Sequence, residues 1–188
     1  MKKGLRIQFN SPVVLGFAIL SLVALVLGDL TGGWTSNNLF CVYRSSLRDP
    51  LTYVRLFFHV LGHASWEHYS ANILLILVIG PQLEDRYGSE DLLITILLTA
   101  FITGVIQCLF FSGVGIMGAS GIVFMMILMA SMGGMKGGCI PLTLIFVAVF
   151  YIGNELVTAL TVADDVSQLS HVVGGICGAL FGFVLEKR

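Results

Sequence analysis

Apolar residues in this chain fall in six long runs, and the charges fall between them. The runs cover residues 12–27, 68–83, 92–111, 120–132, 140–160 and 168–185. A hydrocarbon core is about 30 Å thick, and a helix crosses it with about 20 predominantly apolar residues. Only 11% of the residues are charged and mean hydropathy is +0.94, whereas soluble domains carry about 25% charged residues. The sequence predicts an all-α membrane protein. Its six-transmembrane-helix bundle takes in residues 1–188 as one core with no extra soluble domain.

The first run follows Lys2, Lys3 and Arg6. It is long for a signal core and no clear small-residue cleavage site follows, so it reads as a retained span with Pro12 in its first turn. Residues 31–67 form a long first outer loop. Within it the aromatic stretch Tyr53 to Leu61 is too short to span and reads as interfacial or half-inserted. Basic residues set orientation. With the N-terminus inside, Lys2, Lys3, Arg6, Arg86, Lys136, Lys187 and Arg188 lie inside, and Arg44, Arg48 and Arg55 lie outside. Both termini are therefore expected on the cytoplasmic side.

A net charge of −1 makes no case for nucleic acid. Cys41, Cys108, Cys139 and Cys177 form neither a disulfide framework nor a metal spacing.

Gly118-Ala119-Ser120-Gly121 stands at the start of the fourth run. A serine between small residues at a helix start is a candidate nucleophile, because unpaired N–H groups there favour negative charge. Gly/Ala/Ser clusters are also ordinary packing surfaces between membrane helices, so the tetrapeptide alone decides nothing. Depth adds to it. His68 to Glu84, Ser120 to Lys136 and His171 to Lys187 are each sixteen residues apart. At about 1.5 Å per residue, each polar residue lies roughly 24 Å above the inner boundary. Asn72 lies one turn below His68 on the same face. Polar residues at membrane depth are costly and mark function unless they only bond helices together.

On the sixth run, His171, Gly174, Gly175, Gly178 and Gly182 share one helix face. That face carries almost no side chain, so a neighbouring helix can come close. If the neighbour is the fourth run, His171 reaches Ser120. Neutral histidine is the usual base for a serine nucleophile. The Ser120 N–H and the side chains of His68 and Asn72 are candidate oxyanion donors. Asp164 and Asp165 lie in the loop before the sixth run, so a dyad is expected rather than a triad.

These residues resemble the rhomboid family of intramembrane serine proteases, over nearly the whole chain. The matching motifs are Gly118 to Gly121, His68-Tyr69-Ser70-Ala71-Asn72, and His171 with Gly174 and Gly178. The resemblance implies a Ser120–His171 dyad with His68 and Asn72 at the oxyanion. Gly118, Gly121, Phe124, Gly174 and Gly178 would support it. It also implies cleavage in or near transmembrane helices of membrane-protein substrates that arrive from the surrounding lipid. Arg55, His59 and His63 look like the family's first-loop motif, and Glu84 and Arg86 like its span 2 terminus. Two positions depart from the pattern: Val54 stands where tryptophan is frequent, and Phe124 where tyrosine is.

His59, His63 and Glu67 are four apart and would converge on a metal only along one continuous helix; no metal or other cofactor is expected. Glu155, beside Asn154, is an acid within the fifth run and is given no role. Two other functions fit a membrane bundle. A non-catalytic client binder would usually lack the serine or histidine, and a small transporter would show repeated halves or paired broken helices.

Overall fold

The computed structural model describes residues 9–133, 139, 142, 145–147, 149–150 and 165–186. The expected fifth span, with Asn154 and Glu155, lies largely outside them, as do Lys2, Lys3, Arg6, Lys136, Asp164, Lys187 and Arg188. The architecture is an all-α bundle. Its elements are α1 (Pro12–Leu30), α2 (Trp34–Leu39), α3 (Pro50–Phe58), a 3-10 turn (His59–Leu61), α4 (Trp66–Tyr87), α5 (Ser89–Phe110), α6 (Ser120–Met132) and α7 (Asp165–Leu185).

Among the described residues, three segments are long and apolar enough to cross a membrane: Pro12–Leu30, Ser89–Phe110 and Gln168–Leu185. Their outward faces stay apolar, with Leu20, Leu93, Leu97, Leu180 and Val184 exposed. A helix that is hydrophobic all round belongs in a core or in lipid. The bundle interior is packed by Ile76, Leu92, Ile122, Met125, Met126 and Met129, all fully buried. α6 is different: it has 13 residues, about 20 Å of helix, in a hydrocarbon layer of about 30 Å. The irregular segment 111–119 leads into α6.

Inner helix ends are tied by charge. Ser11, the residue before α1, has φ 55° and its side chain caps nothing. The cap comes from α4 instead: Glu84 accepts hydrogen bonds from the N–H groups of Val13 and Val14, each at 3.0 Å, and from the Ser89 hydroxyl at 2.7 Å. An acid at a helix N-terminus meets both the unpaired N–H groups and the dipole. Arg86 donates to the carbonyl of Gly133, just past α6, at 2.7 Å, and to Glu186, just past α7, at 2.6 Å. The inner ends of α4, α6 and α7 thus converge on one guanidinium.

The first outer loop is ordered by specific contacts. Asp49 caps α3 by accepting from Leu51 N–H at 3.0 Å, and Pro50 stands at its first position, where no N–H is needed. α3 lies against α5 at Gly104, where an added Cβ would stand 2.9 Å from the Leu56 carbonyl oxygen. Arg55 is buried inside this loop. It donates to Asn38 O at 2.8 Å and Asp49 Oδ2 at 3.1 Å, and its guanidinium lies 4.6 Å from the Tyr43 ring centre. A buried cation needs such partners. Val54, which replaces the expected tryptophan, leaves them intact.

Candidate active site

Segment 111–119 is held from three sides before it delivers Ser120. Val42 and Ile116 exchange both backbone hydrogen bonds, at 2.9 and 3.0 Å. Gln107 Nε2, from α5, donates to Val114 O at 2.8 Å. Gly118 N–H donates to His59 O at 3.0 Å. Gly118 has φ +143°, and a Cβ there would stand 2.7 Å from His68 Cε1 and 3.0 Å from its Nε2. Only glycine meets both demands, the backbone conformation and the imidazole lying over it.

Ser120 is the first residue of α6, and no side chain caps that helix. Its first N–H groups are therefore without intrahelical partners. One cavity of about 740 Å³ is lined by Ser120, His171, His68 and Asn72 together, with Phe124 and Gly118. Four side chains from three helices, each singled out in the sequence, share one space. The cavity lies at the start of the short α6.

α6 packs most extensively against α7, and the glycine face is the reason. A Cβ at Gly174 would run into the backbone of Gly121, standing 2.9 Å from its carbonyl carbon; at Gly178 it would stand 2.8 Å from Met125 Cα. At Gly182 it would stand 2.7 Å from Met132 Cβ. Gly121 in turn faces Ser170, whose hydroxyl would be 3.2 Å from a Cβ there. Backbone-to-backbone approach of this kind brings the His171 face of α7 over the start of α6. Phe124, one turn after Ser120, sets its ring centre 4.6 Å from that of His171, tilted by 42°. An apolar ring against an imidazole limits its rotation without taking up a nitrogen.

Ser65 caps α4 by accepting from His68 N–H at 3.2 Å, which fixes the turn carrying His68. Asn72, one turn on, is 7% exposed, and its Nδ2 has no hydrogen-bond partner among the described residues. A buried donor without a partner is costly in a native fold and asks for an explanation. Asn72 lines the cavity that Ser120 also lines.

His59, His63 and Glu67 do not share a helix. The 3-10 turn ends at Leu61, and α4 starts at Trp66. His59 bonds Arg55 O at 3.1 Å and Thr103 Oγ1 at 3.3 Å, and His63 bonds Leu61 O at 3.2 Å. Both rings serve the outer loop. Burial pushes the pKa of each down to about 4, so both are neutral near pH 7. Asp165 belongs to α7, at its first position, rather than to the loop.

Sequence reasoning passed over the polar stripe of α5. Thr95, Thr99, Thr103 and Gln107 recur every four residues and are all buried. That spacing inside an apolar run was a readable signal of a helix face turned toward the site. Only the partners of Thr103 and Gln107, the ring of His59 and the carbonyl of Val114, needed the structure.

The molecule is a polytopic helical membrane protein with a serine and a histidine from neighbouring helices facing one cavity. The family model described as Rhomboid domain matches residues 50–188, and the chain belongs to the rhomboid family. It is 27% identical over 179 residues to the rhomboid protease GlpG of Serratia proteamaculans, covering 92% of this chain and 62% of that protein. The chain thus corresponds to under two thirds of the length of that relative.

Proposed function

We propose that this chain is an intramembrane serine endopeptidase that cleaves peptide bonds in or near the transmembrane helices of other membrane proteins. The observation that carries the reading is the shared cavity of Ser120 and His171, brought together by the glycine contacts of α7 with α6. In this mechanism the His171 imidazole takes the proton of Ser120 as its hydroxyl attacks the scissile carbonyl. Ser120 N–H, His68 and Asn72 then stabilise the oxyanion. His171 returns the proton to the leaving amine, and water later releases the acyl group. Gly118, Gly121, Phe124, Gly174 and Gly178 hold this geometry.

The reading takes residues 1–188 as one six-span core working in lipid, with both termini cytoplasmic and the site opening to the outer side. Support for the orientation comes from the basic residues, which favour the inner side. A non-catalytic client-binding role is the competing reading. The test is cleavage of a reporter transmembrane substrate in liposomes by wild type, Ser120→Ala and His171→Ala. Both variants should lose all but a residual rate, roughly 10⁴-fold or more, with unchanged melting temperature. Substrate binding without cleavage by the wild type would favour the client binder.

A further inference from the structure

We infer that a groove between α1, α5 and the first outer loop seats one acyl chain of a membrane phospholipid, drawn from the leaflet at which α1 and α5 begin. The groove has a volume of about 230 Å³, and every described residue lining it is apolar. It runs from Val13 to Leu20 along α1 and from Leu93 to Ala100 along α5, and Phe57, Phe58 and Leu61 roof it. Phe17, Ile96 and Ala100 make a buried floor, whereas Leu20, Phe58, Leu93 and Leu97 make an exposed rim. The groove therefore opens sideways, on the apolar outward faces of two segments long enough to cross a membrane.

The groove is a standing feature of the fold. Phe57 stacks on Phe101 of α5 with ring centres 5.5 Å apart. The His59 ring, next to Phe58, bonds Thr103 Oγ1 of the same helix at 3.3 Å. The roof is thus pinned to α5. On the α1 side Gly16 keeps the space open: a Cβ added there would meet nothing within 4 Å. An unfilled apolar groove forfeits dispersion contacts along its whole lining. Beside membrane spans the apolar matter at hand is lipid.

Length and direction select the occupant. Glu84 accepts from Val13 and Val14 N–H and from the Ser89 hydroxyl, so α1 and α5 begin side by side. Leu20 and Ala100 stand eight and eleven positions after Pro12 and Ser89, a rise of about 12 and 17 Å. Half of a hydrocarbon core is about 15 Å. With the helix starts at the boundary of that core, a chain of the nearer leaflet enters beside Val13 and Leu93 and ends under Phe57 and Leu61. A chain of the other leaflet would have to pass the roof. A helix is about 10–12 Å across with its side chains, so one as long as the groove would fill roughly 800 Å³ or more. A volume of about 230 Å³ does not admit a helix. The lining offers no polar side chain to a headgroup, so the hydrocarbon chain is what is recognised.

The probe is a phosphatidylcholine with a diazirine on one acyl chain, placed either near the terminal methyl or near the carbonyl. It is added in equimolar amount to the protein in dodecyl maltoside and irradiated, and adducts are mapped by mass spectrometry; no catalysis enters the readout. The terminal probe should mark Leu20, Phe57 or Leu61, and the carbonyl-end probe Val13 or Leu93. Each should exceed marking of the exposed Leu180 and Val184 on α7 by about fivefold or more. Gly16→Leu fills the groove and should lower both signals about fivefold or more, while Gly16→Ala should retain them. Equal marking of the groove and of α7, the sign of boundary lipid only, would overturn the inference. Marking of α7 alone would leave the groove to a protein partner and overturn it too. So would reversed ends for the two probes, which place the chain in the other leaflet, or marking unchanged by Gly16→Leu. Should that variant not accumulate folded, Leu97→Trp, which covers the rim, decides in its place.

Discussion

The inner and outer ends of this bundle treat their polar groups in opposite ways. At the inner end each charged group described above is matched: Glu84 accepts from two N–H groups and a hydroxyl, and Arg86 donates to a carbonyl and a carboxylate. At the outer end, Asn72 Nδ2 and His63 Nε2 are buried without partners among the described residues, and the start of α6 carries no side-chain cap. Matched groups hold helices together; unmatched ones cost stability and keep bonding capacity for something else. The difference assigns securing the fold to the inner end and, under the proposed function, catalysis to the outer end. Substitutions at the two ends should then separate stability from turnover.

The sharpest break comes at Asn72. Losing one oxyanion donor costs roughly 100- to 1000-fold in turnover, about 2.7–4 kcal/mol. Since Nδ2 has no hydrogen-bond partner among the described residues, Asn72→Ala should lower turnover by that order and leave the melting temperature and apparent substrate affinity little changed. His68→Ala should behave alike, and the double variant should lose less than the product of the single effects. A fall in melting temperature with turnover intact would instead make both residues packing groups, like those of the inner end.

Gly178 joins the two ends, since it lies on the helix that carries His171 outward and meets Arg86 through Glu186 inward. Its substitution by valine drives a Cβ and two methyls into the Met125 backbone. Overpacking typically costs about 1–3 kcal/mol, and a displacement of about 1 Å at a reacting group can cost roughly 100-fold in rate. Activity per folded molecule should fall further than stability. Wild-type turnover in a destabilised Gly178→Val would show that the glycine face serves packing alone.

The smallest effect on chemistry is expected at Glu84. Glu84→Ala leaves the Val13 and Val14 N–H groups without their acceptor. Loss of a cap costs about 0.5–2 kcal/mol. Thermal unfolding in detergent should show a lowered midpoint, and turnover per folded enzyme should match wild type. A large loss of turnover here would mean the two ends are coupled, and the contrast between them would fail.

Much of the site was legible before any coordinate because it is written in helical periodicity. Three parallel spans with polar residues sixteen positions from an inner charge must bring those residues to one level. The face shared by His171, Gly174 and Gly178 follows from the same 3.6-residue turn. Such arguments reach along one helix and compare helices of equal pitch. They do not say which helices touch. The partners of Arg55, which are Asn38, Tyr43 and Asp49, come from other turns of the loop, and no spacing along the chain points to them.

What the sequence determined by itself, then, is the class of fold and the smooth face of α7, while the common depth of Ser120, His171, His68 and Asn72 is what their spacing leads one to expect. Each depends on local spacing and on the cost of polar groups in hydrocarbon. Tertiary structure alone decided that Glu84 caps α1 from seventy residues away, that Val42 pairs with Ile116, and that His63 bonds the Leu61 carbonyl and stands edge-on to His68. Those outcomes depend on how closely whole helices and loops approach in space, and no periodicity along the chain encodes that distance.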